Sequence, residues 1–454
     1  MSSVSGVNLS SLLSALGSSS SGINVASAVS EAMTALSAPE TNWKAQQVTL
    51  GTQTSGIDQI QGDVDALQTS LTTLSDPAGA LASMTATSSD TNVVNASAAV
   101  GATAGTHVIM VTNIASSASA YSNAVATSST PLPAGSFTLT PGSGAATTIQ
   151  IGSGVNTLDE LASSINTQNL GVTASVVNDS SGSRLAIVSN NTGSADGFTV
   201  SAASGLTFTQ TSTGQDASLN VDGIPIDSAS NTVSGVLSGV TLNLVGAAPG
   251  GQVTVTIAPD ANTVSQAITS FVSAYNTAIG DVNAQYTVSA TNQEGPLAGD
   301  SSVQILQDNL LSIAGYTGGG NGVSTLSDLG ISMNNDGTLS VDSTTLNNAI
   351  QNNFAAVQNF MQGASSNGFA SFLNTQLNTL TAPGTGAFTV DLQSISSENT
   401  DLQNQINNFQ TYLNAQQTLL TAQYNQADIT LQEIPEEEAQ INGELGYPPT
   451  TTTA

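Results

Sequence analysis

Few side chains in this sequence have the type and spacing to do chemistry, and each lacks the company that chemistry needs. The single histidine, His107, sits in a strand-like run. A serine hydrolase would need a nucleophile held on a Gly-x-Ser-x-Gly elbow, and the chain has none. A histidine zinc site needs several ligands together, and there is no second histidine and no cysteine. His107 is therefore expected as a surface strand residue. The one lysine, Lys44, follows Trp43 rather than a glycine loop, so the phosphate-binding Gly-Lys-Ser/Thr loop is absent. The run Gly318-Gly319-Gly320-Asn321-Gly322 follows no strand and lacks the dinucleotide pattern, and reads as a flexible loop. Asn334-Asn335-Asp336-Gly337 lacks the carboxylate spacing and terminal Glu of a calcium loop, and reads as a turn. The acids Glu436, Glu437 and Glu438 have no basic counterpart and no aligned second carboxylate pair. No catalytic, cofactor-binding or metal-binding residues are assigned, and the expectation is a protein that is not an enzyme.

The bulk composition agrees. The 454 residues carry 31 acids against two cations, Lys44 and Arg184, for a net charge of -29. Phosphate neutralisation needs clustered Lys and Arg, so nucleic acid is not an expected partner. Docking on anionic membranes is disfavoured for the same reason. No apolar run is long enough to span a bilayer. The N-terminus has neither a basic region nor a continuous apolar region, so export by a cleaved signal peptide is not expected. Without cysteine there are no disulfides. Only 7% of residues are charged, while 39% are hydrophobic. Cores are affordable, and the surface must be Ser, Thr, Asn, Gln and Gly.

What remains to carry function is packing, and the strongest signal lies near the C-terminus. Leu402, Ile406, Phe409, Leu413, Leu420, Tyr424, Leu431 and Ile434 form one stripe along a helix from about Phe388 to Ile434. Such a helix is roughly 70 Å long and needs a partner. Pro435 is expected to end or kink it. The partner lies at the other end of the chain. Val29, Leu36, Trp43, Leu50, Ile57, Val64 and Leu71 recur every seven residues, the spacing of a coiled coil. Pro39 divides this pattern into helices at about 23–37 and 40–75. The half of the long helix up to Leu413 is expected against Leu50–Leu74. The half beyond Leu420 has only the short first helix to pair with.

Between about Met84 and Ile257 the hydrophobic period becomes two. Candidate strands include Val108–Val111, Phe137–Leu139, Thr148–Ile151, Val172–Val176, Leu185–Val188, Leu206–Phe208, Leu219–Val221, Thr241–Leu244 and Gln252–Ile257. Thr157-Leu158-Asp159-Glu160 opens one helix with a capping box. Helical periodicity resumes at Asp260, with further helices capped by Asp300 and Asp342 and a hairpin around Asp336-Gly337. The expected fold class is α+β: coiled-coil-like terminal helices and a helical leg domain, with an inserted antiparallel-β head of two small domains. The expected boundaries are 1–39 plus 425–454 for the terminal helices, 40–107 plus 259–424 for the leg, 108–130 plus 216–258 for the first head domain, and 131–215 for the second.

Short motifs then point to a family. Gly22-Ile23-Asn24-Val25, followed by Val29, Met33 and Ala38-Pro39, resembles the opening of the flagellar filament capping protein (hook-associated protein 2) family. Gly105-Thr106-His107-Val108 is similar to the strand where that family's β head begins. Leu219-Asn220-Val221-Asp222-Gly223, with Asn231 and Gly239-Val240-Thr241-Leu242, resembles its Val-Asp-Gly … Gly-Val-Thr-Leu signature. Leu297-Ala298-Gly299-Asp300, Leu329-Gly330-Ile331 with Asp336-Gly337-Thr338-Leu339, and Gln423-Tyr424-Asn425-Gln426-Ala427-Asp428 resemble its later motifs. Asn24 stands where the family has Asp, and the cations common after the Ala-Pro are reduced to Lys44.

The resemblance implies a non-enzymatic cap at the distal tip of a bacterial flagellum, outside the cell. It implies a ring of about five or six copies, flagellin as partner, hook–filament junction proteins as neighbours, and an export chaperone with passage through the flagellar channel. Such a cap promotes flagellin polymerisation and prevents loss of flagellin. The alternatives are a secreted adhesin binding through the β head and a hook–filament junction protein. The residues placed at subunit and flagellin contacts are Ile23, Val25, Val29, Leu36, Leu420, Tyr424, Leu431 and Ile434. On this reading Leu420→Ser or Leu431→Ser spares the fold and weakens assembly.

Overall fold

A computed structural model describes residues 24–445 apart from 143, 289–293, 321 and 364–366. Its chain runs as long helices at both ends, a helical region, and antiparallel β sheets between them. Helix α1 (Val25–Leu36) and helix α2 (Ala38–Ser75) are separated only by Ser37. Pro39 falls in the first turn of α2, where its missing N–H costs nothing. The strands follow: β1 (Met84–Ser88), β2 (Val94–Ala98), β3 (Gly105–Asn113), β4 (Ser119–Ser122), β5 (Gly135–Pro141) and β6 (Thr147–Ile151). After helix α3 (Leu158–Thr167) come β7 (Val172–Asp179), β8 (Gly182–Ser189), β9 (Phe198–Ala202) and β10 (Phe208–Ser212). Then come β11 (Ala217–Val221), β12 (Ile224–Ser228), β13 (Thr232–Leu237), β14 (Val240–Leu244) and β15 (Val253–Pro259). The helical part returns with α4 (Ala261–Tyr286) and α5 (Ser301–Leu311). A short hairpin of β16 (Ile331–Met333) and β17 (Leu339–Val341) follows. The chain ends with α6 (Ser343–Asn352), α7 (Phe354–Gln362), α8 (Phe369–Thr381) and α9 (Ala387–Glu444).

The cores are nested. One apolar cluster runs from Ile57 to Leu81 and again from Val264 to Phe388. A second joins residues between Val93 and Ala115 to residues between Ala217 and Ile257. A third lies wholly between Ala118 and Leu206. Each β part returns to its starting point. Met84 pairs with Pro259, and the Asp260 N–H donates to the Ser83 carbonyl at 2.9 Å. Ser116 and Gln215 likewise bridge, with N–H to carbonyl distances of 2.9 and 3.0 Å. The boundary expected between 107 and 108 thus falls inside β3. Residues 84–98, grouped with the leg in the sequence reading, form β1 and β2, which pair with β15 and β14. Their stretches are mostly Ala, Ser and Thr, so they carry little hydrophobic contrast.

Capping residues set the helix starts. Asp260 accepts from the N–H groups of Asn262 and Thr263, both at 3.1 Å. The Thr263 hydroxyl and those N–H groups hold its carboxyl below the usual range. Asp300 and Asp342 cap α5 and α6 in the same way. At α3 the expected box is only half formed. Thr157 accepts from the Glu160 N–H at 3.2 Å, but the Glu160 carboxylate accepts from Asn156 at 2.8 Å, one residue early. The two cations are both committed locally. Arg184 binds Asp179 at 2.6 Å and lies over the Tyr121 ring at 5.4 Å.

One feature of the helical core is electrostatically unfavourable at neutral pH. Asp63 of α2 lies within hydrogen-bonding reach of Asp281 of α4, and burial together with that neighbour pushes its carboxyl up to about 6. The Gln59 amide donates to it at 3.3 Å and partly offsets this. A folded-state value above the unfolded one means a stabilising contribution that is complete below about pH 4 and lost as pH rises through about 6. On going from pH 7.5 to pH 5 the melting temperature of the parent is expected to rise by more than that of its Asp63→Asn variant. At pH 7.5, Asp63→Asn should gain about 1 kcal/mol, reduced from the full shift because the pair is partly solvated. Thermal melts at both pH values check this. An equal loss of stability at both would contradict it.

Candidate assembly interface

Across the seam between the terminal helices the contacts come from uncharged side chains, apart from one acid and one lysine. α2 and α9 run antiparallel. The Gln47 amide donates to the Gln403 side chain at 3.3 Å and to the Asn399 carbonyl at 3.4 Å. One turn on, the Trp43 ring meets Phe409 edge-on, with centroids 5.3 Å apart. Gln410 then donates to Glu40 at 2.8 Å. Glu40 is only 9% exposed. Lys44, one turn along the same helix, binds it at 2.6 Å. The Lys44 and Gln410 hydrogen bonds hold its carboxyl below the usual range. One of the chain's two cations is thus spent on neutralising the acid at this seam.

The seam is shifted from its expected place. Leu402, Ile406 and Leu413 are buried, but Leu402 and Ile406 lie opposite the Glu40–Leu50 part of α2 and Leu413 lines the groove beside α1. Ile57 to Leu74 pack into the helical core instead, and Gln68 donates to Asn374 and Asn378 of α8 at 3.3 and 2.8 Å. The reason is length. The whole of α9, at 1.5 Å per residue, is about 87 Å long, and its first turns, from Phe388, already belong to the core.

Beyond Leu413 the partner is α1. Asn24 caps α1 by accepting from the Ser27 N–H at 3.1 Å. Val29 is buried, whereas Val25 and Leu36 are half-buried. Between α1 and α9 runs an open groove of about 740 Å³, lined by Val25, Val29, Met33, Leu413, Gln417 and Thr421 among others. Leu420 and Tyr424 are half-buried along this stretch. Further out the helix is bare. Leu431 is 42% and Ile434 50% exposed. Ile23, the remaining member of the expected set, lies outside the described residues. So the structure brings Val25 and Val29 together with the Leu413–Tyr424 part of α9, and leaves Leu431 and Ile434 without them.

α9 also does not stop at Pro435. It continues through Glu444 with the proline inside it. Of the two outcomes expected there, an end or a kink, the end does not occur. Proline removes one intrahelical bond and crowds the preceding turn. Here the surrounding residues are all exposed, so water can satisfy the freed carbonyl. Continuation adds two exposed apolar residues that the sequence reading missed, Ile441 and Leu445, at 55% and 66% exposure. Their spacing from Leu431 and Ile434 was the available signal.

Elsewhere the structure yields no reactive centre among the described residues. His107 Nδ1 pairs with Asp222 at 2.6 Å, and Asp222 also accepts from the Val108 N–H at 2.8 Å. The pair joins β3 to the turn after β11, and hydrogen bonds from His107 first and Val108 second lower the Asp222 carboxyl. Asp336 accepts from Thr338 within the hairpin turn, as a turn residue does. Among the described residues no group of three or more His, Asp or Glu could hold a metal ion. No described helix is long and apolar enough to cross a membrane.

Comparison with known proteins fits this arrangement. The family model for the flagellar hook-associated protein 2 C-terminus matches residues 214–436, and that for its N-terminus matches 21–118. The flagellin hook IN motif matches 136–191, within the third cluster. The B-type flagellar hook-associated protein 2 of Pseudomonas aeruginosa is 28% identical over 442 residues, covering 88% of this chain and 91% of that protein. The flagellar hook-associated protein 2 of Aeromonas caviae is 27% identical over 441 residues, covering 88% and 93%. The crystal structure of the flagellar cap protein FliD D1-D2-D3 domains from Escherichia coli superposes with a TM-score of 0.58 at 26% identity, covering 75% of this chain and 99% of that one. With both terminal family models in order along a chain of matching architecture, this protein belongs to the flagellar hook-associated protein 2 family.

Proposed function

We propose that this protein is a flagellar filament cap: a structural, non-catalytic homo-oligomer at the distal tip, outside the cell. Copies form a closed ring of about five or six, which guides flagellin subunits into the growing filament and keeps them from escaping. Flagellin and the hook–filament junction proteins are its neighbours, and an export chaperone accompanies it before passage through the flagellar channel. Among these helices, the observation that supports this best is the bare end of α9. A helix that is anchored at Phe388 in a packed core yet exposes Leu431, Ile434, Ile441 and Leu445 is incomplete by itself. Its apolar side is satisfied on contact with other subunits.

The scarcity of cations supports the same reading: the terminal helices carry acids but only Lys44 to pair with them. Helices with few ion pairs gain little from solvent and order on binding. A strain lacking the gene should secrete flagellin into the medium and grow no filaments, and the wild-type gene should restore both. Electron microscopy of the purified protein should show closed rings with projecting legs. A deletion strain with normal filaments and retained flagellin would sink the proposal.

A further inference from the structure

The outer end of α9 carries a second apolar stripe. Tyr412, Ala415, Leu419, Ala422 and Ile429 step by three, four, three and seven, with Gln426 in the gap. Tyr412 is 48%, Leu419 49% and Ile429 50% exposed. Ala415 and Ala422 are exposed as well. At about 100° per residue, this stripe lies on the side of the helix turned away from Leu413, Gln417 and Thr421, which face α1 across the groove. The helix therefore has two seams, one occupied by α1 and α2 and one bare. Tyr412 is held in place. Its ring stacks on Phe409 at 5.7 Å, and Phe409 is itself fixed against Trp43. The spacing is that of helix packing, with two alanines allowing close approach and three large side chains to fill holes.

Charge selects the partner. At -29, two copies of this chain repel across most of their surfaces. From Leu402 to Ala427, α9 carries no charged residue, although Asp401 and Asp428 bracket the run. On the facing helices, Glu31 is exposed, and the acid nearest the seam, Glu40, is neutralised by Lys44. A basic partner would find nothing to attract it here. A second acidic chain would meet its least repulsion here. We infer that the bare stripe from Tyr412 to Ile429 is a contact surface for a second copy of this chain. The inference rests on the oligomeric cap reading and adds where neighbouring legs meet. It is separate from the groove and from the bare end beyond Leu431.

Sedimentation velocity of the full chain over a concentration series, with electron microscopy of rings, tests it. The double variant Leu419→Glu, Ala422→Glu should self-associate about a hundredfold more weakly, because like charges would face each other across the contact. Its circular dichroism and melting should match the parent, since both positions are exposed. Neutral Leu419→Gln should weaken association about tenfold and decides the matter should the charged variant misfold. Val245→Glu, at a residue 51% exposed beside the β sheets, should change nothing. Charged and neutral variants that assemble like the parent would overturn the inference while leaving the cap reading intact. Normal self-association with lost flagellin binding would also overturn it, by making the stripe a flagellin surface. A parent that stays monomeric at every concentration and forms no rings would remove both.

Discussion

Replacing Leu431, Ile434 and Ile441 together with serine is expected to abolish ring formation while leaving the folding of the isolated chain within about 0.5 kcal/mol of the parent. All three side chains are at least 42% exposed. No described helix packs on them, so their removal takes nothing from an intramolecular core. In an assembly the same side chains leave water. Each buried aliphatic side chain contributes about 1.5–3 kcal/mol, and losing three exceeds what a weakly held subunit contact retains. Ring counts by electron microscopy and melting by circular dichroism measure the two halves. A fall in melting temperature with rings preserved would show that the bare end folds back within its own subunit. The structure also separates two substitutions that the sequence treats alike. Leu431→Ser belongs with this group. Leu420→Ser does not, because Leu420 is half-buried on the stretch of α9 that faces α1. It should loosen α1, and so cost both helicity and assembly.

The second large effect lies in the helical core. Phe369→Ala is expected to destabilise that core by about 3–5 kcal/mol. Phe369 is fully buried. Its ring meets Phe271 edge-on at 5.5 Å, stacks on Phe360 at 5.7 Å, and meets Tyr316 at 5.4 Å. Alanine leaves a cavity where helices α4, α7 and α8 converge, and rigid rings do not collapse into it. For a unit of this size the helical transition should drop by roughly 8–15 °C. The β cores share no cluster residue with it, so their transition should stay in place. Calorimetry resolves this because a chain with several cores need not unfold in one step. A single transition shifted as a whole would show that the three cores unfold together.

Both predictions turn on the difference between a helix that is present and a helix that is covered. Periodicity alone shows the first. The stripe on α9, the seven-residue recurrence on α2, and the aspartates at 260, 300 and 342 are local patterns. The physics that reads them is local as well: one face of a helix must leave water, and the first N–H groups need an acceptor. Strands with Val, Ile and Leu alternating, such as Leu219–Val221 and Thr241–Leu244, were legible for the same reason. Met84–Ser88 and Ser119–Ser122 were not. Their alternation is carried by Ala, Ser and Thr, and only their neighbours in the sheets make them strands.

The sequence by itself determined that this chain would be helical at its ends and β between, and that a chain with 31 acids and two cations has few ion pairs with which to build its contacts. The tertiary structure decided which part of a uniform-looking stripe is core and which is surface. Phe388 to Leu413 found partners inside the subunit, Leu420 and Tyr424 found half of one, and Leu431 to Leu445 found none among the described residues. It also decided that Pro435 lies within α9 rather than at its end, because the helix there is solvated and tolerates a missing hydrogen bond. Burial depends on which segments meet, and that is fixed by the register of Gln47 with Gln403 and Glu40 with Gln410, contacts between residues at opposite ends of the chain that no local pattern encodes.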